Sequence, residues 1–406
     1  MTDFRIFVTG VEMLASGKGD QLYQFGAQER TQNRLEPETR TSGLLPFNHL
    51  AYELLFYWPV ARFSYRTGLI AWALINAGLV FLIGFLLRPY SRTLARITNI
   101  PVALFFFAFY PVMFVLGEGQ DSLLFTTFLV LSLRSMDGGR IFLAGFLLAL
   151  ALFKFHLALS IAFFVFVLRG KWRGVAGFAT GGVLVGVVSL ALVGPAIFHD
   201  YPSMLRRQSV MTPWGFNPSF MPNLRGLLEW GLGRWLDKGQ FLLAIFMSSA
   251  IVGVVATWLV LRQQAKRATN NNESMAYAVA VLTTILISYH FHMQDLSIAL
   301  LPMLILAERA ISDRYEQTLA VVVRPSTSWA VVVGVAVAGL YLYRVAGILF
   351  PILVMGGCIL CLPVFLLWVA ALRWWCMVHP PAVLAGTRST SASQIGSQYS
   401  ADLVPF

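Results

Sequence analysis

The chain has 406 residues, 57% of them hydrophobic and 12% charged, with a mean hydropathy of +0.70. A soluble domain carries about 25% charged residues, so the composition excludes that class and indicates an all-α, polytopic membrane bundle. The net charge of +11 does not argue for nucleic acid, because most basic residues fall in short loops between apolar runs, the pattern of membrane orientation.

The chain opens "MTDFRIFVTGVEMLASGKG", which lacks the basic-then-apolar order of a signal peptide. Phe4, Phe7, Val8 and Val11 recur at helical spacing and predict an amphipathic helix able to lie in the membrane interface. Thr2 is its expected N-cap, with Asp3 in the first turn. A second helical stretch, "PFNHLAYELLFYWPVARF", is predicted from Pro46. About eleven apolar segments follow, near 68–88, 100–116, 120–135, 140–153, 156–169, 173–194, 240–261, 275–289, 294–308, 328–346 and 348–372. Several are shorter than the roughly 20 residues of a perpendicular span, so tilted, re-entrant or buried segments are expected among them. The chain therefore divides into segment 1–67, a first half-bundle 68–194, a loop 195–239, a second half-bundle 240–378 and a Ser/Thr/Ala-rich tail 379–406 expected to be disordered. Pro, Gly and Asn in 195–239 predict an ordered, non-regular loop. Cys358 and Cys361 form a Cys-x-x-Cys pair, but with no second pair and no polar neighbours they read as helix packing.

Basic residues alternate between loops. Arg88, Arg92, Arg96, Arg134, Arg140, Arg169, Lys171, Arg173, Arg262, Lys266, Arg267, Arg309, Arg314, Arg324 and Arg373 mark one side. The loops "GEGQD", "FKFH", "HFHMQD" and "YRVAG" are nearly bare of positive charge. The positive-inside rule places the first set in the cytoplasm of a bacterial-type plasma membrane, with 1–67 and 195–239 outside. An outward start implies a further span upstream of Met1, giving about twelve in all. Gln120, Asp121, Lys154, His156, His290, His292 and Asp295 then share the outer face. A charge at membrane depth costs about 2.5–3.5 kcal/mol on insertion scales, so their recurrence on one side predicts a polar cavity there.

Four stretches, taken in order, resemble one family. They are "TDFRIFVTGVEMLASGKGDQLYQ", "FVLGEGQDSLLFTTFLVLSL", "AGFLLALALFKFHLALSIAFFVFVLRGKWR" and "SYHFHMQDLSIALLPMLIL". They resemble the first outward loop, the Gly-Gln segment, the Lys-containing segment and the His/Asp segment of glycosyltransferase family 87, over about residues 2–310. The resemblance implies a GT-C type enzyme that takes a sugar from a polyprenyl phosphate outside the cytoplasm, with inversion and a catalytic carboxylate matched by Asp3. It implies a hexose, with mannose or another hexose as the family-level expectation. The chain departs from the family in having no span ahead of Asp3 and in having Phe155 where a Pro often follows the Lys.

That chemistry assigns candidate roles. Asp3 is the expected general base, with Glu12 and Asp20 as fallback carboxylates; Asp3 is otherwise an ordinary first-turn acid. Lys154 is expected to hold the donor phosphate as a point charge or, alternatively, to snorkel. Arg206, Arg207 and Arg225 are secondary phosphate candidates. His290, His292 and Asp295 either bind acceptor hydroxyls or the phosphate, or hold a divalent metal; no other cofactor is implied. Asp295 is also a candidate cap for the helix that follows it. Gln120 and Asp121 either bind sugar hydroxyls or start a helix. Trp58, Trp214, Phe216 and Trp230 suit the interfacial belt or sugar stacking. The expected partners are the lipid-linked sugar, a glycolipid or glycan acceptor and the bilayer. The rival readings are a secondary transporter or flippase and a non-catalytic membrane partner. No internal repeat supports the transporter, and the short cytoplasmic loops leave no room for a nucleotide-sugar domain.

Overall fold

The computed structural model describes residues 2–35, 43–98, 101–210, 220–233, 235, 240–265, 273–319, 327–349 and 357–378. It is helical throughout, with no strand among the described residues. The first segment holds α1 (Phe4–Ala15), α2 (Phe25–Leu35) and the short α3 (Leu54–Tyr57). The first half-bundle holds α4 (Tyr65–Leu87), α5 (Arg92–Thr98), α6 (Val102–Ala108), α7 (Tyr110–Glu118), α8 (Ser122–Asp137), α9 (Ile141–Ala149), α10 (Phe155–Ala162) and α11 (Trp172–Val193). Then come α12 (Ile197–Val210), α13 (Leu224–Leu232), α14 (Gln240–Ala265), α15 (Glu273–Ile287), α16 (Leu300–Leu319), α17 (Thr327–Leu349) and α18 (Cys361–Val378).

Among the described residues, four helices are long and apolar enough to cross a membrane: Tyr65–Tyr90, Trp172–Val193, Gln240–Arg262 and Gly357–Cys376. A fifth candidate is the pair Ile141–Ala149 and Leu152–Val167, bent by 67°. The architecture is a polytopic helical bundle, in which several of the eleven expected segments are short or broken pieces. The expected run 100–116 divides into α6 and α7 at Phe109, which is extended (φ −78°, ψ 115°) ahead of Pro111. Pro111 has no N–H to donate to the Phe107 carbonyl and its ring would clash there, so the helix cannot run on unbroken.

Burial sorts the helices. Side chains on all sides of α8 and α15 are buried, so these two run through the interior. The long α4, α11 and α14 instead expose Ile70, Leu74, Phe85, Val183, Ile251 and Val252. Such outward apolar faces suit lipid rather than water. Hydrogen bonds tie the interior helices to each other and to their neighbours: Ser132 to Tyr277 at 2.7 Å, Thr257 to Thr283 at 2.8 Å, and the Trp368 indole N–H to Thr283 at 3.0 Å. Helices α9 and α11 pack most tightly. A Cβ added to Gly145 would lie 1.9 Å from the Gly174 carbonyl, and one on Gly177 would lie 1.9 Å from that of Phe142. Small residues permit this backbone approach where apolar burial alone does not drive association. Cys358 and Cys361 are buried free thiols, in line with a packing role.

Three local expectations change. The apolar face of α1 does not lie open at an interface. Phe4, Phe7 and Val11 are buried, and Phe7 stacks on Tyr57 with ring centroids 3.9 Å apart. Second, the stretch from Pro46 is helical only from Ala51. Its first residues pair instead with side-chain amides of α2. The Phe47 N–H donates to Gln28 Oε1 at 2.7 Å, Gln28 donates back to the Phe47 carbonyl at 3.2 Å, and the Leu45 N–H donates to Gln32 at 3.2 Å. With its polar backbone satisfied in this way, the stretch needs no helix. Third, the loop 195–239 contains two helices, α12 and α13; the Asn223 side chain accepts the Gly226 N–H and so starts α13. Trp214 and Phe216, and the tail 379–406, lie outside the described residues.

Candidate active site

Five stretches converge: the start of α1, the 3-10 turn Ala51–Glu53, the corner between α7 and α8, the 3-10 turn Leu152–Lys154, and the turn from Ser288 to Asp295. The corner depends on Gly119, which caps α7 in the left-handed region (φ +68°). A Cβ there would sit 2.7 Å from Phe4 Cβ, so only glycine lets the corner reach α1. The corner is held from α4. Trp72 and Asn76 donate to the Gln120 carbonyl at 3.2 and 3.3 Å, and the Tyr57 hydroxyl donates to the Gly119 carbonyl at 3.3 Å.

Asp3 occupies the N-cap of α1 but makes no side-chain cap bond. Its carboxylate accepts from the Gln120 amide, and its backbone N–H donates to Glu118 at 3.2 Å. The expected cap, Thr2, pairs instead with the Tyr65 hydroxyl at 2.5 Å. Asp3 is half-buried and so keeps an open side.

Behind it lies a buried ionic network. Lys154, 6% exposed, sits 2.8 Å from Asp121 Oδ1 and 2.5 Å from Asp295 Oδ1, and donates to Ser122 at 2.9 Å. The ammonium donates to Asp295 and Ser122 and stands against Asp121 as a close ion pair, buried on every side. Lys154 therefore does not snorkel. Asp121 begins α8 without capping it, because its oxygens face Lys154 and His49. Asp295 does not cap forwards; its Oδ2 accepts the His292 N–H at 3.0 Å and closes the preceding turn. The His290 ring meets that of His292 edge-on at 4.2 Å, and His156 lies 6.2 Å from His290. All eight residues singled out from the sequence thus form one connected group.

The remaining candidates are not part of this network. Glu12 pairs with Arg34 at 2.7 Å, and Asp20, Arg206 and Arg207 are exposed. Arg225 donates to the Tyr289 carbonyl and stacks 3.8 Å over its ring. Trp58 is half-buried and Trp230 exposed.

The sequence reading missed Glu53 and counted His49 only as an outward histidine. His49 Nδ1 lies 2.6 Å from Glu53 Oε2 and 3.3 Å from Asp121 Oδ2. Burial disfavours charge on His49, yet the Glu53 and Asp121 carboxylates outweigh it and hold its pKa up at about 10. Burial pushes the Glu53 carboxyl upward against the pull of His49. The available signal was a carboxylate four residues after a histidine inside the aromatic run "HLAYELLFYW". Arg5, buried on α1, and Ser122 were also passed over. The metal-type ligand atoms that converge belong to His49, Glu53 and Asp121. The expected set of His290, His292 and Asp295 is arranged differently, with the Asp295 oxygens serving Lys154, Ser122 and the His292 N–H.

No curated protein and no solved structure matches the chain in comparison. A model described as glycosyltransferase family 87 matches residues 53–288, more than half of the 406. The matched stretch contains Glu53, Gln120, Asp121, Lys154 and His156; Asp3, His290, His292 and Asp295 lie beyond its ends. With that match over a helical membrane bundle, the chain belongs to glycosyltransferase family 87 and is a membrane glycosyltransferase.

Proposed function

We propose that the protein transfers a hexosyl group, mannosyl in the family-level reading, from a polyprenyl-phosphate donor to a glycolipid or glycan acceptor on the extracytoplasmic face of a bacterial inner membrane. The observation that carries this reading is the half-open Asp3 carboxylate, oriented by Gln120 beside the buried network of Lys154, Asp121 and Asp295. Asp3 takes the acceptor hydroxyl proton. The acceptor oxygen attacks the anomeric carbon from the face opposite the phosphate. The bond from that carbon to the phosphate oxygen breaks, and polyprenyl phosphate leaves with the electron pair. Attack from the opposite face inverts the anomeric centre.

Buried between Asp121, Asp295 and Ser122, Lys154 acts through the carboxylates it positions and through its charge. Imidazole N–H groups of His290, His292 and His156 supply donors to the phosphate or sugar oxygens as charge develops. A cavity of about 790 Å³, lined by apolar side chains that include Val102, Phe106, Leu300, Met303 and Leu304, supports a lipid-linked donor. It begins five residues after Asp295 and follows α16 to Ile311, about 16 Å at helical rise.

The test is transfer from radiolabelled polyprenyl-phosphate hexoses to a membrane lipid extract, by protein in nanodiscs. Label moving to a new product with wild type but not with Asp3→Asn is the expected result. No transfer from any lipid-linked donor by monodisperse protein would refute the reading.

A further inference from the structure

We infer that His49, Glu53 and Asp121 form a binding site for one divalent cation, of the kind that accepts mixed oxygen and imidazole ligands, such as Mn²⁺ or Zn²⁺. One ligand-type atom from each residue lies within 4.8 Å of the other two. Around an ion bonded at about 2.1 Å, ligand atoms stand roughly 3–4 Å apart, so closure needs only a few tenths of an ångström to an ångström of movement. One imidazole and two carboxylates are ligand types that both metals take.

A second observation points into the same space. Glu53 has no solvent exposure, and its Oε1 is buried without a hydrogen-bond partner. Its other oxygen faces His49. Asp121 is equally buried and gives Oδ1 to Lys154, which leaves Oδ2 facing His49 at 3.3 Å. Lys154 offsets only one of the three buried carboxylates of Glu53, Asp121 and Asp295, so the pair on His49 calls for further positive charge, since burying unneutralised charge is costly. A proton on His49 supplies one; a divalent ion supplies two and takes up the orphaned Glu53 oxygen as well.

The residues are held in place from three sides. His49 and Glu53 are one turn apart, on and just before the 3-10 turn Ala51–Glu53. Asp121 is fixed by the Gly119 corner and by Lys154. Three protein ligands leave coordination positions open. Asp121 follows Gln120, which holds Asp3, so an ion here borders the reaction site, where a donor phosphate oxygen can take an open position. That last step rests on the transfer reading; the cation site does not.

The experiment uses the full chain in nanodiscs, untagged, stripped with EDTA and exchanged into chelator-free buffer. Mn²⁺ binding is read from the loss of its free paramagnetic resonance signal, and Zn²⁺ from metal analysis after equilibrium dialysis. The expected result is one ion per chain with a rise in the wild-type melting temperature. His49→Gln and Glu53→Gln should each weaken binding roughly tenfold or more, while Glu12→Gln, at the exposed Arg34 pair, should bind like wild type. Less than one ion per chain of either metal at millimolar concentration, in protein with an unchanged melt, would overturn the proposal and assign a proton to the Glu53 and Asp121 pair. Equal binding by His49→Gln would also overturn it. If a variant fails to fold, the wild-type stoichiometry and melting shift still decide. The readout is binding, so a negative result leaves the transfer reading standing.

Discussion

Replacing Lys154 by Met keeps the length and most of the volume of the side chain and removes only its charge and donors. In the wild type the ammonium is 6% exposed and sits 2.8, 2.5 and 2.9 Å from Asp121, Asp295 and Ser122. Removing one partner of a buried ion pair costs about 3–5 kcal/mol, because the other charge stays buried. The bond to Ser122 adds about 1 kcal/mol. Here one cation serves two carboxylates; Asp121 keeps His49 at 3.3 Å, so Lys154→Met strands Asp295, and the expected loss is about 4–6 kcal/mol at neutral pH. Asp295→Asn in the Lys154→Met background removes one stranded charge and should recover about 1–3 kcal/mol, the range for residues in direct contact. The assay is denaturant unfolding in mixed micelles, followed by tryptophan fluorescence, for the wild type, both single variants and the double variant. A Lys154→Met protein within about 0.5 kcal/mol of wild type, the scatter of inert surface changes, would refute the ion-network account and return Lys154 to a role as a loosely held phosphate ligand.

Asp3→Asn should lower kcat for transfer by about 10²–10⁴, the range for a lost general base, with an unchanged melting temperature, since the side chain accepts the Gln120 amide and Asn can accept it too; a smaller drop in a folded variant removes Asp3 as the base. Gln120→Leu should lower kcat with little effect on donor KM, because the amide orients Asp3; Gln120→Glu keeps the shape but cannot donate and should lose at least as much, whereas retained activity in it would point to packing instead. Gly145→Leu should destabilise by at least about 1–3 kcal/mol, because α9 and α11 must separate, as seen in melting and in cross-linking between Phe142→Cys and Phe178→Cys. Gln28→Ala should raise amide exchange across residues 45–48, because it strips both partners from the Phe47 backbone, at about 1–3 kcal/mol.

The sequence by itself determined the solvent and the class of fold. Twelve per cent charge and repeated apolar runs leave only helices that satisfy their own backbone in lipid, and the start and end of α4, α11 and α14 follow from where those runs stop. It also singled out Gln120, Asp121, Lys154, His156, His290, His292 and Asp295, because a polar group in an apolar run stands out at once, whereas Asp3 was marked only by the family resemblance. It did not determine their pairing. Lys154 reads as a free cation along the chain, and only the approach of α8 and the Ser288–Asp295 turn puts Asp121 and Asp295 against it. Glu53 and His49 were hidden for the opposite reason: segment 1–67 is mixed in polarity, so a buried carboxylate has no apolar background to show against. The non-helical course of 43–50 depends on Gln28 and Gln32, thirteen to nineteen residues away. Local periodicity reports which side chains share a face, whereas the partner across a gap is set by helix packing, and contacts between residues far apart in the chain leave no trace in a single sequence.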